Sequence, residues 1–412
     1  MNFSFFFNWN ALKTNNLNKK IIINFGPQHP AAHGVLRLIL QLSGEIIEKT
    51  DIHIGLLHRS TEQLIEKKHY EKSIPYFDRL DYVSMMTQEH AFCLNIEYLL
   101  NVQHKVKSIN FTRILFDELT RILNHMLAIA CHALDIGSMS SIFWAFEERE
   151  LIMEFYERVS GARMHAAFHR SYSNFSYVLD KDLLKDILLF IKNCYKTLNE
   201  MHNVLTYNKI WKQRLLNIGS LTPQNVLSWG LTGVLSRSVG LKKDLRLSLS
   251  HSYSNYLDIN VKSFLGVNGD CFDRYLIRML EMAESLKIVN YLCNFFLNNP
   301  SFTNLSYQQL FTFSLKNNSK NVYMENIIEH FLQWHTGLTI NSGLSTIYIE
   351  SPKGEFGTIL TSNNSNKPQK CKIRSPSYFS LQALPLMTKG HYLADLAALI
   401  GTIDIVFGEI DR

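Results

Sequence analysis

Hydrophobic and polar positions follow two different periods along this chain. Three short apolar or alternating segments, 21–25, 35–42 and 45–54, are separated by Gly-Pro and Ser-Gly pairs. Alternation broken by such pairs is typical of hairpins, so we predict a small antiparallel sheet. From residue 60 to about residue 208, apolar positions recur every three or four residues, which predicts helices. These lie near 60–73, 78–101, 111–133, 140–161 and 180–207.

The second half of the chain is more mixed. Residues 209–270 combine short apolar runs with glycine-containing turns, and a long helical pattern returns over 270–296. Residues 298–321 are polar and rich in Asn and Ser, which is typical of a linker. Beyond the linker we predict a helix near 323–335, strands at 346–350, 358–361 and 371–373, and a last helix near 391–400.

These patterns predict an α+β fold that is mainly helical. A small antiparallel sheet forms its N-terminal part, a helical bundle its centre and a mixed segment its C-terminal part. The predicted units are a tail at 1–20, the sheet at 21–55, the bundle at 56–297 with a mixed insertion at 209–270, a linker at 298–322 and an α+β segment at 323–412.

Composition narrows the class of protein. With 412 residues, 46% of them hydrophobic and 19% charged, the chain can bury a large core, and a disordered protein is excluded. The net charge of +6 comes from scattered lysines and arginines, so we predict no nucleic acid partner. The six cysteines are far apart and form no CxxC pair, which predicts that this chain itself binds no iron–sulfur cluster, zinc or other metal.

Two features bear on where the protein works. The most apolar stretches, near 126–146 and 392–408, are interrupted by charged or titratable residues, so we predict no membrane span. The first 20 residues lack arginine, which argues against a cleaved transit peptide. A bias towards Asn, Ile, Lys and Phe resembles that of many mitochondrial genomes and favours a protein encoded in the organelle.

Four groups of polar residues could carry chemistry, and two of them precede the long helices. In the loop 26–34, prolines surround His29 and precede His33, and so stiff a loop could aim an imidazole as a proton donor. The residues alone favour, by roughly two to one, a plain turn whose histidines bind backbone groups. Further along, Asp78 is typical of a helix N-cap, and Tyr82 could face either a pocket or the rim of the core.

The other two groups lie within the helical part. One predicted helix carries five polar residues at spacings of three or four: Arg121, Asn124, His125, His132 and Asp135. Buried polar groups need partners, so these indicate either structural pairing or a site. Further on, His165 and His169 are four residues apart without the Glu of an HExxH zinc site. Cations facing an anionic cofactor on a neighbouring chain fit better, and a salt-bridge network is the alternative.

Nine motifs, taken in order, resemble one known family. They are GPQHPAAHGVLRL, HIGLLHR, PYFDRLDYVSMM, TRILNHM, FEERE, ERVSGARMHAA, GDCFDRYL, SPKGEFG and IGTIDIVFGEIDR. Over about residues 21–412 the chain resembles the 49-kDa core subunits of respiratory complex I, the NADH:ubiquinone oxidoreductase. A more distant resemblance, to the large subunits of nickel–iron hydrogenases, implies a hydrogenase-like fold.

The hydrogenase resemblance gives the missing cysteines a meaning. Hydrogenases hold nickel and iron with two CxxC pairs, and the corresponding segments here, 82–92 and 404–412, contain none. Without soft thiolates that metal centre cannot form. The resemblance therefore implies that the C-terminal segment closes a cavity left free for ubiquinone as substrate. It implies His33 and Tyr82 as ligands of the quinone headgroup.

Further site residues follow only from the resemblance. Asp135 matches the family's partner of the loop histidine, and Arg79 and His165 match residues beside a [4Fe–4S] cluster that a smaller partner subunit holds. We add Arg163 and His169 to the shell of that cluster. No metal would be bound by this chain itself, and NADH and FMN would bind only elsewhere in the complex.

The resemblance also implies a location and partners. The subunit would be peripheral, on the matrix side of the mitochondrial inner membrane. It would contact the small [4Fe–4S] subunit, other core subunits of the peripheral arm and a membrane-arm subunit at the quinone entrance. There it would form the quinone-reduction site and couple electron transfer to proton translocation.

Three alternatives stay open. An active hydrogenase large subunit is disfavoured by the missing cysteine pairs, and a ferredoxin-fed plastid relative of complex I differs in the segment 75–86. A scaffold without catalysis is disfavoured because His33, Tyr82 and Asp135 occur together. The chain departs from the family pattern at 171–178, 236–240, Asn268 and 298–322, so the paths of those loops are not predicted.

Overall fold

The structure is a computed structural model that describes most of the chain. The described residues are 20–28, 34–101, 107–171, 179–299 and 335–412, with Met324, Ile328 and Phe331. Outside them lie residues 300–322 of the linker predicted at 298–322, most of the predicted helix near 323–335, and residues 1–19 and 29–33.

The N-terminal sheet is confirmed. Strands β1 (Lys20–Phe25), β2 (Arg37–Ser43) and β3 (Ile46–His53) pair antiparallel in the order β1-β2-β3. Leu38, Leu40 and Leu42 of β2 are buried, as the alternation of its sequence requires. The sheet also joins the C-terminal part, since the amide of Ile47 donates to the His391 carbonyl over 2.9 Å.

The predicted bundle follows, but the single helix predicted near 60–73 is two helices, and the one predicted near 78–101 begins later. Its helices are α1 (Thr61–Lys67), α2 (Tyr70–Asp78), α3 (Met85–Leu99), α4 (Lys107–Ile136), α5 (Ser140–Ser160), α6 (Lys181–Thr206), α7 (Lys209–Leu215), α8 (Pro223–Ser228), α9 (Val234–Ser238) and α10 (Cys271–Asn298). The predicted start at residue 78 is wrong, because Asp78 ends α2 and is no N-cap. The Asp81 carboxylate accepts from the amides of Val83 and Ser84, which holds a turn before α3.

The C-terminal part combines a second sheet with short helices. Strands β4 (Gly343–Ser351), β5 (Gly354–Ser362) and β6 (Lys370–Arg374) pair antiparallel in that order, and helices α11 (Pro376–Gln382), α12 (Leu384–Thr388), α13 (Leu393–Ile403) and α14 (Phe407–Asp411) follow. Because Ser351 pairs with Gly354, Lys353 lies in the two-residue tip of the β4–β5 hairpin. The α+β, mainly helical prediction is confirmed for the described residues, while the hydrogenase-like fold stays a prediction.

Helix α4 is buried on nearly all sides and packs against α5, α10 and α13. Charged residues on α4 and around it form the bundle ion network, which consists of Glu118, Arg121, Arg237, Asp244, Arg246, Glu281 and Glu350. All seven are less than one tenth exposed, so their mutual pairing is what makes their burial tolerable. Within the described ranges, no helix combines the length and apolar character needed to cross a membrane.

Candidate functional site

The turn between α2 and α3 lies directly against the C-terminal helix α14. A Cβ on Gly408 would collide with the carbonyl oxygen of Leu80 and lie 2.9 Å from that of Arg79, so only glycine permits this approach. Nearby, the Gln88 amide donates to the Glu409 carboxylate over 3.2 Å. The turn before α3 and the C-terminal segment that carries α14 therefore lie side by side.

A buried lysine joins these two segments. The ammonium of Lys353 lies 3.5 Å from a carboxylate oxygen of Asp81 and 3.5 Å from one of Asp404, and it donates to the Asn124 side-chain oxygen. Burial acts to lower the pKa of Lys353, but Asp404 and Asp81 outweigh it and raise that pKa. We call Asp81, Asn124, Lys353, Asp404 and Glu409 the central acid–base cluster. It contains one ammonium group, that of Lys353, and three carboxyl groups.

Glu409 is the member of this cluster that keeps its proton. Burial, and then the neighbouring charge of Asp81, raise the pKa of Glu409 to about 8. Hydrogen bonds that it accepts from the hydroxyl and the amide of Ser377 act against this shift. At neutral pH the cluster therefore holds a neutral acid that can release a proton at little cost.

Tyr82 follows Asp81 directly and is half-buried against the core. Burial and then the Asp81 charge raise the pKa of its phenol, whereas Lys353 and Arg59 act to lower it. Arg59 belongs to a segment that the C-terminus holds, because the Asp411 carboxylate accepts from the amides of Gly55 and Leu57 over 2.9 and 2.7 Å. Tyr82 is therefore a protonated phenol whose pKa responds to two cations and a carboxylate.

Asp135 lies in the last turn of α4, opposite α13. A Cβ on Gly401 would lie 3.4 Å from an Asp135 carboxylate oxygen and 3.0 Å from the His132 ring. After burial, Asp135 and Asp404 both raise the pKa of Cys131, to about 11, so the two carboxylates are near the same thiol. His33 is not among the described residues, so its predicted pairing with Asp135 and its predicted role as a headgroup ligand stay predictions.

The residues predicted beside a partner's cluster lie in two places. Arg79 is exposed at the end of α2, where its guanidinium donates to the Pro75 carbonyl over 2.7 Å. Burial and then Arg79 lower the pKa of the half-buried His165, while Asp78 acts to raise it. Arg79, His165 and Asp78 are therefore close enough for their charges to affect one another.

Arg163 and His169, the other two residues predicted beside the cluster, contact different groups. Arg163 is exposed and forms an ion pair with Glu150 of α5. His169 is buried, and its ring centre lies 5.6 Å from that of His90. Burial and then the charge of His90 hold the pKa of His169 well below its usual range, so this imidazole is neutral. Their assignment to the shell of a partner's cluster stays a prediction.

Lys353 and Glu409 lie in quoted motifs but were not predicted as site residues. A lysine between Pro352 and Gly354 is typical of an exposed turn, and only the docking of the hairpin against the bundle buries it. Among the described ranges, no group of three or more His, Cys, Asp and Glu side chains is arranged to hold a metal ion.

Comparisons with known proteins agree on one family. The family described as "Respiratory-chain NADH dehydrogenase, 49 Kd subunit" matches residues 135–412. A Paramecium tetraurelia protein named NADH-ubiquinone oxidoreductase 49 kDa subunit is 60% identical over 96% of this chain and all of its own length. The protein of the same name from Pylaiella littoralis is 47% identical over 98% of this chain and all of its own length.

The similarity extends to plants. An Arabidopsis thaliana protein named NADH dehydrogenase [ubiquinone] iron-sulfur protein 2 is 47% identical over 96% of this chain and 98% of its own length. The matched region of the family, 135–412, includes Lys353, Asp404 and Glu409 of the central acid–base cluster. The chain therefore belongs to the family of 49-kDa subunits of respiratory-chain NADH dehydrogenase.

Proposed function

We propose that this subunit forms the quinone-reduction site of a respiratory NADH:ubiquinone oxidoreductase. Tyr82 and His33 bind the two carbonyl oxygens of the quinone headgroup, and Asp135 pairs with His33. The names of the relatives, which include ubiquinone, support the substrate class. The observation that carries the proposal is the position of Tyr82, beside buried Lys353 at the contact between the α2–α3 turn and the C-terminal segment.

Reduction of a quinone consumes two electrons and two protons, so the site needs two proton donors. A phenol with a pKa of ~10 donates poorly unless its anion is stabilised. Lys353 and Arg59 are the cations that favour the phenolate of Tyr82. The neutral acid Glu409, next to Asp81, is a nearby store from which the proton can be replaced.

The electrons come from a [4Fe–4S] cluster that a small partner subunit holds, and this cluster supplies them singly. Arg79 has an exposed guanidinium and His165 is half-buried, so both can face a neighbouring subunit. Cationic and hydrogen-bonding groups beside such a cluster favour its reduced, more negative state. We include Arg163 and His169 in the shell of this cluster because they belong to the same segment as His165, residues 163–169.

The subunit also takes part in coupling. When His33 gives its proton to the quinone, the Asp135 carboxylate loses its counter-charge, and this change biases the positions of the surrounding loops. The complex uses that bias to translocate protons. The subunit is peripheral on the matrix side of the mitochondrial inner membrane and contacts the cluster-bearing small subunit, other peripheral-arm core subunits and a membrane-arm subunit.

Tyr82→Phe and Asp135→Asn in the assembled complex test the proposal. Each should lower NADH:quinone reductase turnover by roughly 100-fold, the scale of general acid catalysis, while NADH oxidation by an artificial acceptor at the flavin stays unchanged. Tyr98→Phe, at an exposed tyrosine of α3, is the matched control and should leave both rates unchanged. Wild-type quinone turnover in Tyr82→Phe and Asp135→Asn would contradict the proposal.

A further inference from the structure

Two buried carboxyl groups hold the segment that carries His165. Asp78, at the end of α2, accepts from the Ala167 amide over 2.9 Å, and Glu89, on α3, accepts from the His169 amide over 2.8 Å. Residues 164–169 form neither helix nor strand, and Ala167 has a φ of +42°, which a side chain disfavours. These two hydrogen bonds therefore fix a strained stretch of backbone.

Within the described part of the chain, the other oxygen of each carboxyl group accepts no hydrogen bond. Both acids are fully buried, and no donor among the described residues reaches Asp78 Oδ1 or Glu89 Oε1. The two side chains are within hydrogen-bonding reach of each other. Two ionised carboxylates repel at this separation, whereas one proton between them provides the missing donor.

The surroundings assign that proton to Glu89. Burial and then the Asp78 charge raise the pKa of Glu89 well above its usual range. Burial also raises the pKa of Asp78, but Asp78 faces two cationic or titratable groups, Arg79 and His165, that favour its ionised form. The cation that favours ionised Glu89 is Arg170.

Two further titratable groups face Glu89, and both are neutral. Burial raises the pKa of the Tyr156 phenol, and it raises the pKa of the Cys93 thiol to about 12. Neither can balance an ionised Glu89. The negative charge of the pair therefore resides on Asp78, on the side of His165.

We propose that Asp78 and Glu89 share one proton carried by Glu89, and that this carboxyl pair is the positioning device of segment 164–169 and thereby of His165. The inference rests on the proposed function, which places His165 beside the partner's [4Fe–4S] cluster, where its protonated form favours the reduced cluster. Through the Ala167 amide, ionised Asp78 fixes the path of the segment, and its charge favours the protonated imidazole of His165. Through the His169 amide, neutral Glu89 holds the other end without adding a second charge.

Two isosteric variants separate this arrangement from a doubly ionised pair. In Glu89→Gln the amide can donate to Asp78 and its oxygen can still accept from His169, so the variant imitates protonated Glu89. In Asp78→Asn the charge that faces His165 is lost. The proposal therefore predicts that Glu89→Gln resembles the wild type and that Asp78→Asn does not.

The experiment is hydrogen–deuterium exchange of the 163–170 peptide in the assembled complex, corrected for intrinsic exchange and measured across pH. In the wild type, protection should fall once the pH is high enough to ionise Glu89. Glu89→Gln should hold its protection, within about twofold, through that range, whereas Glu89→Ala should exchange about tenfold faster or more at every pH. If Glu89→Ala does not assemble, the pH dependence of Glu89→Gln still decides the question.

A second measurement reads the charge on Asp78. The reduction potential of the partner's cluster, followed by electron paramagnetic resonance across pH, should keep its wild-type profile in Glu89→Gln. In Asp78→Asn the midpoint of the pH dependence should move to lower pH, because the anion that favours protonated His165 is gone. Equal shifts in both variants would overturn the proposal, as would loss of protection in Glu89→Gln. Exchange data do not depend on quinone turnover, so they stand or fall separately from the proposed site at Tyr82.

Discussion

The bundle ion network and the central acid–base cluster are both buried, yet they differ in charge balance. The network sets three guanidinium groups against four carboxyl groups, and the cluster sets one ammonium against three. In the network, arginines outweigh the effect of burial and hold the pKa values of Glu118, Asp244 and Glu281 below normal. In the cluster, burial and Asp81 raise the pKa of Glu409 to about 8.

This difference separates a structural role from a chemical one. Three acids of the network are ionised throughout the physiological range, so they contribute fixed charges; the surplus acid, Glu350, has a pKa that burial raises. The central acid–base cluster can gain or lose a proton near neutral pH, and it lies against Tyr82. Of these two groups, the one with fewer cations for its buried acids is therefore the candidate for chemistry.

The largest expected effect comes from removing a cation of the network. Arg237→Met leaves Glu281 and Glu350 without the guanidinium that donates to them over 2.9 and 2.7 Å. Breaking a buried pair in this way should cost about 3–5 kcal/mol, and little complex should assemble, as native electrophoresis would measure. Arg158→Met, at an exposed ion pair with Asp186, is the matched control and should assemble normally. Normal assembly of Arg237→Met would contradict a structural role for the bundle ion network.

The same kind of change in the central acid–base cluster should act on chemistry more than on assembly. In Lys353→Met, Asp81 and Asp404 lose their ammonium, but Arg278 still favours ionised Asp404 and the neutral acid Glu409 adds no charge to be balanced. We expect assembled complex with quinone turnover lowered by about tenfold or more, because the Tyr82 phenolate loses a stabilising charge. Lys243→Met, at an exposed lysine, is the control. If Lys353→Met lost assembly as severely as Arg237→Met, the proposed difference between the cluster and the network would be contradicted.

A smaller effect should appear in the pH dependence of stability. Because the folded-state pKa of Glu409 is raised to about 8, its contribution is fully present below the unfolded pKa of 4.5 and is lost as pH rises through 8. Glu409→Gln should therefore flatten the fall in melting temperature of the complex over that range. Glu154→Gln, at an exposed position of α5, should keep the wild-type slope. An unchanged slope in Glu409→Gln would mean that Glu409 is ionised.

The smallest effects come from a matched pair of serines. Ser285 donates to Glu118 over 2.6 Å, and Ser377 donates to Glu409. Ser285→Ala should lower stability by about 1 kcal/mol without changing its pH dependence, since three other donors still serve Glu118. Ser377→Ala should raise the pKa of Glu409 further and move the stability transition to higher pH. Identical pH profiles for the two variants would contradict the comparison.

Local pattern predicted most elements of the fold but not every helix end. The alternation of Leu38, Leu40 and Leu42 was enough for β2, and a long apolar period was enough for α4 and α10. The start of α3 was missed because a single side chain, Asp81, binds the amides that a helix would use. Neither composition nor hydrophobic period shows that a side chain will bind backbone amides in place of a helical carbonyl.

The site was less predictable, because contacts between distant segments create it. The family motifs led to Tyr82, Asp135, Arg79 and His165, but no local feature marks Lys353 as buried or Glu409 as protonated. Both properties arise only when the β4–β5 hairpin and α14 pack against the turn before α3. Asp78 had the sequence context of an N-cap and instead holds the Ala167 amide, 89 residues further along the chain.

The central claim is that Tyr82 donates to the substrate in front of the acid–base cluster. A structure of the assembled complex with bound ubiquinone tests it through the distance between the Tyr82 hydroxyl oxygen and the nearer quinone carbonyl oxygen. We predict a distance of about 2.6–3.2 Å, with Lys353 still between Asp81 and Asp404. A headgroup that stays beyond hydrogen-bond reach of Tyr82, directly and through one water, would contradict the account.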